Sequence, residues 1–451
     1  MTDLLAARLT MAISLGFHIV LAAIGMVMPF LMVTAHARWL RSRDPEDYRL
    51  TRAWMRGVAI FFATGAVSGT ALSFELGLLW PNFMEHAGPI IGMPFSLEGA
   101  AFFIEAIAFG LYLYGWGRMP PRVHLAMGVL VGIAGLSSGM LVVAANGWMN
   151  SPAGFDWVDG AAQNIEPWRA MLNRAWFSQA SHMLIAAFEA VGFAVAGVHA
   201  WALLRETAPR VSFHRRALFL ALTVGAIAAI VQPINGHGAA QDVAVRQPAK
   251  LAAMEAHFET SSRAPLLVGG WPDPDQQEVH FGLEIPGGLS FLAFDDFDAE
   301  VTGLDAFPRD EWPPVRVVHV AFQTMVGIGT ALAGFGLLFL FARRLRPQWL
   351  EHRRFIGLVV LAAPLGFLAM EAGWVVTEVG RQPWIIYGVM RTSEALTPVP
   401  GQVFHLVAFA SLYAFIGVSA IWMWRRQVAY GPDSPLPTPE LEAWSRGRRG
   451  G

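Results

Sequence analysis

Long apolar runs separated by short polar stretches dominate the pattern of this chain. Nine of them fall at roughly 11–35, 53–74, 93–115, 123–146, 177–204, 215–234, 316–341, 354–377 and 402–425. A helix needs about 20 apolar residues to cross the hydrocarbon core of a bilayer, and each run meets that length. The pattern therefore predicts an all-α integral membrane protein with nine transmembrane helices. The first run is too long for the apolar region of a signal peptide, and a basic stop-transfer segment follows it.

Arginines set the expected orientation. Arg38, Arg41, Arg43, Arg49 and Arg52 follow the first run, Arg118 and Arg122 the third, and Arg205, Arg210, Arg215 and Arg216 the fifth. Arg343, Arg344, Arg346, Arg353 and Arg354 follow the seventh, and Arg425 and Arg426 the ninth. The alternate connections are acidic or sparsely charged. Positive charge stays on the cytoplasmic side, so the N-terminus is expected outside and the C-terminus inside. Residues 1–234 then hold helices one to six and residues 316–426 hold helices seven to nine. Between them, residues 235–315 carry four basic and fourteen acidic side chains and form an extracytoplasmic loop. A helix is expected there around Gln247–Thr260, among Pro/Gly-rich turns and without a domain-sized core. The Pro-, Gly- and Arg-rich tail, 427–451, reads as a disordered cytoplasmic end. No internal repeat or inverted symmetry is visible.

Composition narrows the chemistry. Apolar residues make up 55% of the chain and charged residues only 15%, against about 25% in soluble domains. A net charge of −2 removes a nucleic-acid footprint as a global property. The absence of cysteine excludes disulfides, thiolate metal sites, iron–sulfur clusters and covalent c-type haem attachment. Lys250 is the sole lysine, so its surroundings matter.

Ionisable side chains within a span cost roughly 2.5–3.5 kcal/mol each on insertion scales and call for a role. His18 lies in the outer third of the first run. Glu98 and Glu105 share a face of the third, seven residues apart; His182 and Glu189 repeat that spacing in the fifth, and Glu371 and Glu378 in the eighth. With Met325, in the outer part of the seventh run, His18, Glu98, His182 and Glu378 all fall in the outer half. Imidazole, thioether and carboxylate are groups that haem iron takes as ligands. Each residue also has a bland reading. A lone transmembrane histidine is more often a hydrogen-bonding residue, and most of the nineteen methionines fill gaps. Glu98 and Glu105 would equally serve a transporter's ion path, and Glu378, near a helix end, would meet water or Arg381. Depth and composition alone thus reach a membrane redox or ion protein. No His-His pair occurs for a haem–copper centre, and His182 and His199, 17 apart, have the wrong spacing for a paired-histidine cytochrome b.

Three strings are more specific: Glu378-Val379-Gly380-Arg381-Gln382-Pro383-Trp384, Ala145-Asn146-Gly147-Trp148-Met149, and Lys250-Leu251-Ala252-Ala253-Met254-Glu255-Ala256. With them, and with nine spans around a loop between the sixth and seventh, the chain resembles subunit I of the cytochrome bd family of quinol oxidases, from about Arg8 to Trp424. The resemblance implies that His182 and Met325 are axial ligands of a low-spin haem b. It implies that His18 and Glu378 hold a high-spin haem b and a haem d, or a haem b in place of the latter, with the pairing left open. Glu98 and Glu105 match acidic residues beside those haems, and Glu105, Ser138 and Asn146 match steps of a proton route. Lys250 and Glu255 match the quinol-binding pair, whereas Trp374, Arg381 and Trp384 match haem-supporting positions. On the residues alone, Lys250 and Glu255 also read as a solvated helix face, and Ser138 and Asn146 as interhelical hydrogen bonds.

The implied activity is quinol oxidation at the outer face with reduction of dioxygen to water at a haem pair. Cytoplasmic protons would be consumed there, so charge separates without a pump. The resemblance further implies a second multi-span subunit as heterodimeric partner, in some relatives a very small accessory subunit, and a bacterial inner membrane. One departure stands out: Gln323 occupies the position, two before Met325, where the family often has arginine. Loss of that cation is expected to lower the potential of the low-spin haem. The loop is the short form, similar to that of the cyanide-insensitive branch.

Overall fold

The computed structural model describes residues 1–158, 160–205, 211–430 and 438–446. In chain order its helices are α1 (Asp3–Ser42), α2 (Pro45–Leu79), α3 (Pro81–Tyr114), α4 (Pro121–Asn150), α5 (Pro167–Met171), α6 (Trp176–Arg205) and α7 (Val211–Arg246). They continue with α8 (Pro248–Glu255), α9 (Gly288–Phe294), α10 (Val315–Leu345), α11 (Arg353–Ala362), α12 (Leu365–Val379), α13 (Gln402–Tyr430) and α14 (Pro439–Ser445). Among the described residues nine spans are long and apolar enough to cross a membrane, with α11 and α12 together forming the eighth. Proline opens α2, α3, α4, α5 and α8, where its fixed φ suits the first turn and its missing N–H has no partner to lose. Pro364 does the opposite inside the eighth span, separating α11 from α12.

Helices α1 to α4 pack as one group, with α13 against α1 and α2. Helices α6, α7, α10, α11 and α12 form a second group, and α1 and α4 join the two by meeting α6. Helices α6 and α7 approach closely: a Cβ on Gly192 would lie 2.5 Å from the Gly225 backbone. Small residues at such crossings let backbones touch, which is how helices gain contact where lipid offers no hydrophobic drive.

Several boundaries differ from the sequence expectation. Helix α7 runs on to Arg246, so 235–246, expected in the loop, are helical. The loop helix is shorter than Gln247–Thr260: α8 stops at Glu255, and Ala256 takes a left-handed φ of 50°. The loop then forms three two-stranded antiparallel ribbons, pairing Ser261–Ser262 with Glu300–Val301, Leu266–Val268 with Leu283–Ile285, and Trp271–Asp273 with Glu278–His280. It seats on the bundle rather than folding alone, since Ala252, Ala253, Met254, Phe258 and Leu304 share a core with Val315 and Val318 of α10 and Val376 of α12.

Part of the tail expected to be disordered is ordered. Thr438 caps α14 by accepting from Leu441 N, and Trp444 donates Nε1–H to the Met119 carbonyl at 2.6 Å. The Trp444 ring also meets His124, Trp116 and Trp39 at centroid distances of 5.5, 5.9 and 6.2 Å. Residues 431–437 and 447–451 of that tail lie outside the described residues.

Candidate functional site

The end of the bundle that carries residues 247–314 holds most of the candidate residues, and hydrogen bonding fixes the form of both histidines. His18 Nδ1 of α1 is 2.9 Å from Ser68 Oγ of α2. Ser68 spends its single hydroxyl proton on the Gly65 carbonyl at 3.0 Å, so it accepts from His18 and the imidazole proton sits on Nδ1. In α6, His182 Nδ1 faces Asn235 Oδ1 at 3.1 Å, and Asn235 Nδ2 donates to Ser181 Oγ at 3.0 Å, which orients the amide. His182 therefore carries its proton on Nδ1 too, and its Nε2 lone pair here receives the Gln232 amide at 3.1 Å. In both rings Nε2 is the nitrogen whose lone pair is available to a ligand, with a partner orienting the other nitrogen.

Glycines leave room around these groups. An added Cβ would lie 3.0 Å from His18 Cε1 at Gly69, 3.3 Å from His182 Cε1 at Gly236, and 2.9 Å from Met325 Sδ at Gly373. Trp374, next to Gly373 in α12, packs against the main core.

The seam between α3 and α4 collects three candidates. Ser138 Oγ donates to Glu98 Oε1 at 2.7 Å. Glu105 is buried, and a Cβ on Gly135 would lie 3.4 Å from its Oε1. Glu98 lies 17 residues into α3 from Pro81, much as His18 lies 15 residues into α1 from Asp3.

At the last turn of α12 the charges gather. Arg381 is buried and donates through Nη2 to Glu378 Oε2 at 2.7 Å, while its Nε and Nη1 are buried without a partner among the described residues. Asn146 Nδ2 donates to Glu378 Oε1. Asn150 Nδ2 donates to Asn146 Oδ1 at 2.9 Å, and Lys250 Nζ donates to Asn150 Oδ1 at 2.6 Å and to the Thr377 carbonyl at 3.3 Å. Lys250 and Glu255 are each only 4% exposed, so the solvated-face reading is wrong: α10 and α12 cover α8. Burial holds the Lys250 ammonium well below its usual range, with Arg381 and Arg246 adding to the effect and Glu378 opposing it. Burial also pushes the Glu255 carboxyl up to about 8, and its Oε2 has no partner among the described residues.

Gln323 is a fastener. Its Oε1 accepts from Gly269 N and its Nε2 donates to the Leu267 carbonyl, both at 3.0 Å. One turn earlier on α10, the ring nitrogens of His319 face the Met254 and Gly269 carbonyls at 2.8 and 3.0 Å. Trp384 lies in a short strand beyond α12, with the Arg391 guanidinium 5.3 Å from its ring centroid.

Sequence reasoning missed Ser68, Gln232, Asn235 and Asn150. Asn150 had a signal, standing four residues after Asn146 on the same helix face. Glu75 was missed as well: it is fully buried and accepts from Ser14 Oγ at 2.6 Å and Tyr413 OH at 3.1 Å. Taken together, the two fixed imidazoles, the thioether, the carboxylate and a buried guanidinium with two unpartnered nitrogens suit iron porphyrins bearing anionic propionates.

Comparison with known proteins gives a consistent result. Residues 6–432 match the family model described as cytochrome bd terminal oxidase subunit I. A Bacillus subtilis (strain 168) protein provisionally named cytochrome bd menaquinol oxidase subunit I is 35% identical, over 94% of this chain and 96% of its own length. The cytochrome bd-II ubiquinol oxidase subunit 1 of Escherichia coli (strain K12) is 26% identical, over 95% of this chain and 96% of its own. The solved bd oxidase of Geobacillus thermodenitrificans superposes with a TM-score of 0.88 at 38% identity, covering 94% of this chain and 99% of that one.

Proposed function

This chain belongs to the cytochrome bd terminal oxidase subunit I family, and from that premise we propose that it is the haem-bearing subunit of a quinol:oxygen oxidoreductase in a bacterial inner membrane. It oxidises quinol at the extracytoplasmic face and yields water from dioxygen, generating proton motive force by charge separation without pumping. His182 and Met325 hold a low-spin haem b, while His18 and Glu378 hold a high-spin haem b and a haem d, or a haem b in its place. Those groups supply electron transfer and an iron at which dioxygen is reduced. Arg381, with two unpartnered nitrogens, would hold a haem propionate, and Trp374 and Trp384 would support the porphyrins. The partner is a second multi-span subunit, joined as a heterodimer, with room for a very small accessory chain.

The residues divide the remaining work. Glu255 takes a proton from the quinol hydroxyl through its unpartnered Oε2. Lys250 uses two of its three donors inside the protein and keeps the third for a substrate oxygen. Protons for water formation rise from the cytoplasm along α3 and α4, where Glu105, Ser138, Glu98 and Asn146 offer polar steps. The N-terminus lies outside, as the arginine pattern indicates.

The observation that carries this reading is Arg381, a buried cation with two unsatisfied nitrogens beside Glu378. A buried charge left so is costly unless an anion completes it. Purification with its partner subunits, followed by a pyridine haemochromogen spectrum and an acid-acetone haem extract, tests it. Haem b with or without haem d, and quinol-dependent oxygen uptake, are expected. A colourless preparation made with ample haem supply overturns it in favour of an ion transporter.

A further inference from the structure

Lys250, Asn150, Asn146 and Glu378 form one hydrogen-bonded chain across α8, α4 and α12. Its direction is fixed. Glu378, paired with Arg381, only accepts, so Asn146 turns its NH2 group toward it. The Oδ1 of Asn146 then faces the NH2 group of Asn150, which leaves Asn150 Oδ1 for Lys250. Both amide dipoles therefore point the same way, with a cation at one end and a carboxylate at the other. Such aligned bonds polarise one another in a low-dielectric interior. Arg381 occupies the second oxygen of Glu378, so the carboxylate is held on both sides. Lys250 is also fastened to the end of α12 through the Thr377 carbonyl, and it passes over Gly380, where a Cβ would lie 3.1 Å from its Cγ. Asn150 is 1% exposed, so no solvent molecule substitutes easily for a lost amide.

Between Lys250 and Glu378 the chain transmits position and polarity. We propose that Asn150 is a positioning residue that carries the state of the loop helix α8 to Glu378, linking occupancy of the quinol site to the properties of the haem that Glu378 holds. This rests on the reading that Glu378 is a haem ligand and that α8 borders the quinol site. Any such link is reciprocal: whatever moves Lys250 alters Glu378, and a change at Glu378 returns to α8 by the same free energy.

The test uses the whole oxidase with its partner subunits and follows the haems by potentiometric titration in the visible spectrum. Asn150→Leu, Lys250→Met and the double variant are compared with Glu378→Ala. Cutting the chain at Asn150 or Lys250 leaves the Asn146 N–H less polarised, so its bond to Glu378 weakens, the carboxylate becomes a stronger ligand and ferric iron is favoured. Each single variant should therefore lower the midpoint potential of one haem, the one whose band Glu378→Ala removes, and leave the other two unchanged. The double variant should shift it no further than the larger single, because both cut one chain. Unchanged potentials, or shifts that simply add, overturn the proposal. Should Asn150→Leu fail to assemble, Asn150→Ser decides, with a smaller shift in the same direction expected and none overturning the link. Glu378→Ala with all haem bands intact is a different result: it removes the ligand assignment on which the link depends.

Discussion

The imidazole of His18 and the hydroxyl of Ser68 stand 2.9 Å apart on adjoining helices, and the serine is the acceptor because its own proton is spent on the Gly65 carbonyl. Ser68→Ala removes that acceptor and leaves a buried N–H unpaired, at a cost of about 1–3 kcal/mol. It also frees the ring to rotate or change tautomer. Partners of this kind commonly alter metal affinity by about 10–100-fold. Haem content by pyridine haemochromogen should fall toward two haems per complex, with the His182-dependent bands kept. A full complement with an unaltered difference spectrum would show that Ser68 does not orient the ligand.

The pairing of Gly373 with Met325 gives a sharper test, because helix energetics and ligand geometry predict opposite results. Gly→Ala in a helix interior normally stabilises by about 0.5–1 kcal/mol. Here the new Cβ would lie 2.9 Å from Met325 Sδ, inside any real contact. Gly373→Ala should push the thioether away and turn the low-spin signal high-spin, as Met325→Leu should, without loss of thermal stability. A preserved low-spin spectrum in both variants would end the axial role of Met325.

What the sequence revealed, and what it hid, follows from the range of each signal. Nine spans are legible because each is a local run of apolar residues. Helix α7 is not legible beyond 234, since Pro233, Asn235, Gly236 and Gly238 interrupt the hydropathy while the backbone stays helical. The three motif strings mark Lys250 and Glu378, but their joining through Asn150 brings together positions 100 and 232 residues apart, which no local pattern records. Ser68 and Asn235 are invisible for the same reason. The order of α14 was hidden by a polar, Pro-rich tail in which Thr438, Pro439 and Trp444 alone carry the capping and anchoring signals.

Gln323 stands where the sequence resemblance leads one to expect an arginine, and the structure gives it mechanical work. With His319, one turn away, it ties the loop to α10 at Met254, Leu267 and Gly269. Gln323→Leu deletes two hydrogen bonds worth about 0.5–1.5 kcal/mol each and strands their backbone partners. The quinol KM should rise several-fold, and limited proteolysis within 261–301 should accelerate, while the haem spectrum stays the same. Native KM and native protease resistance together would show that the fastening is dispensable.

Glu255 sets a pH dependence whose sign is determined. Burial raises its carboxyl from 4.5 to about 8, so at neutral pH it is mostly protonated and cannot accept from quinol. As the pH climbs through about 8 the base form grows, so kcat/KM for quinol should rise and then level off above that value. Glu255→Gln should lose this limb and run about 10²–10⁴-fold slower, the usual span for a missing general base. The same shift acts on stability. Between 4.5 and about 8 the unfolded chain releases a proton that the fold retains, so stability declines with rising pH over that window. Glu255→Gln should flatten that decline in thermal melts taken across it, with haem content unchanged. A native enzyme whose kcat/KM is flat from pH 6 to 9, on a scale where ordinary carboxylates titrate near 4, would rule out Glu255 as the acceptor.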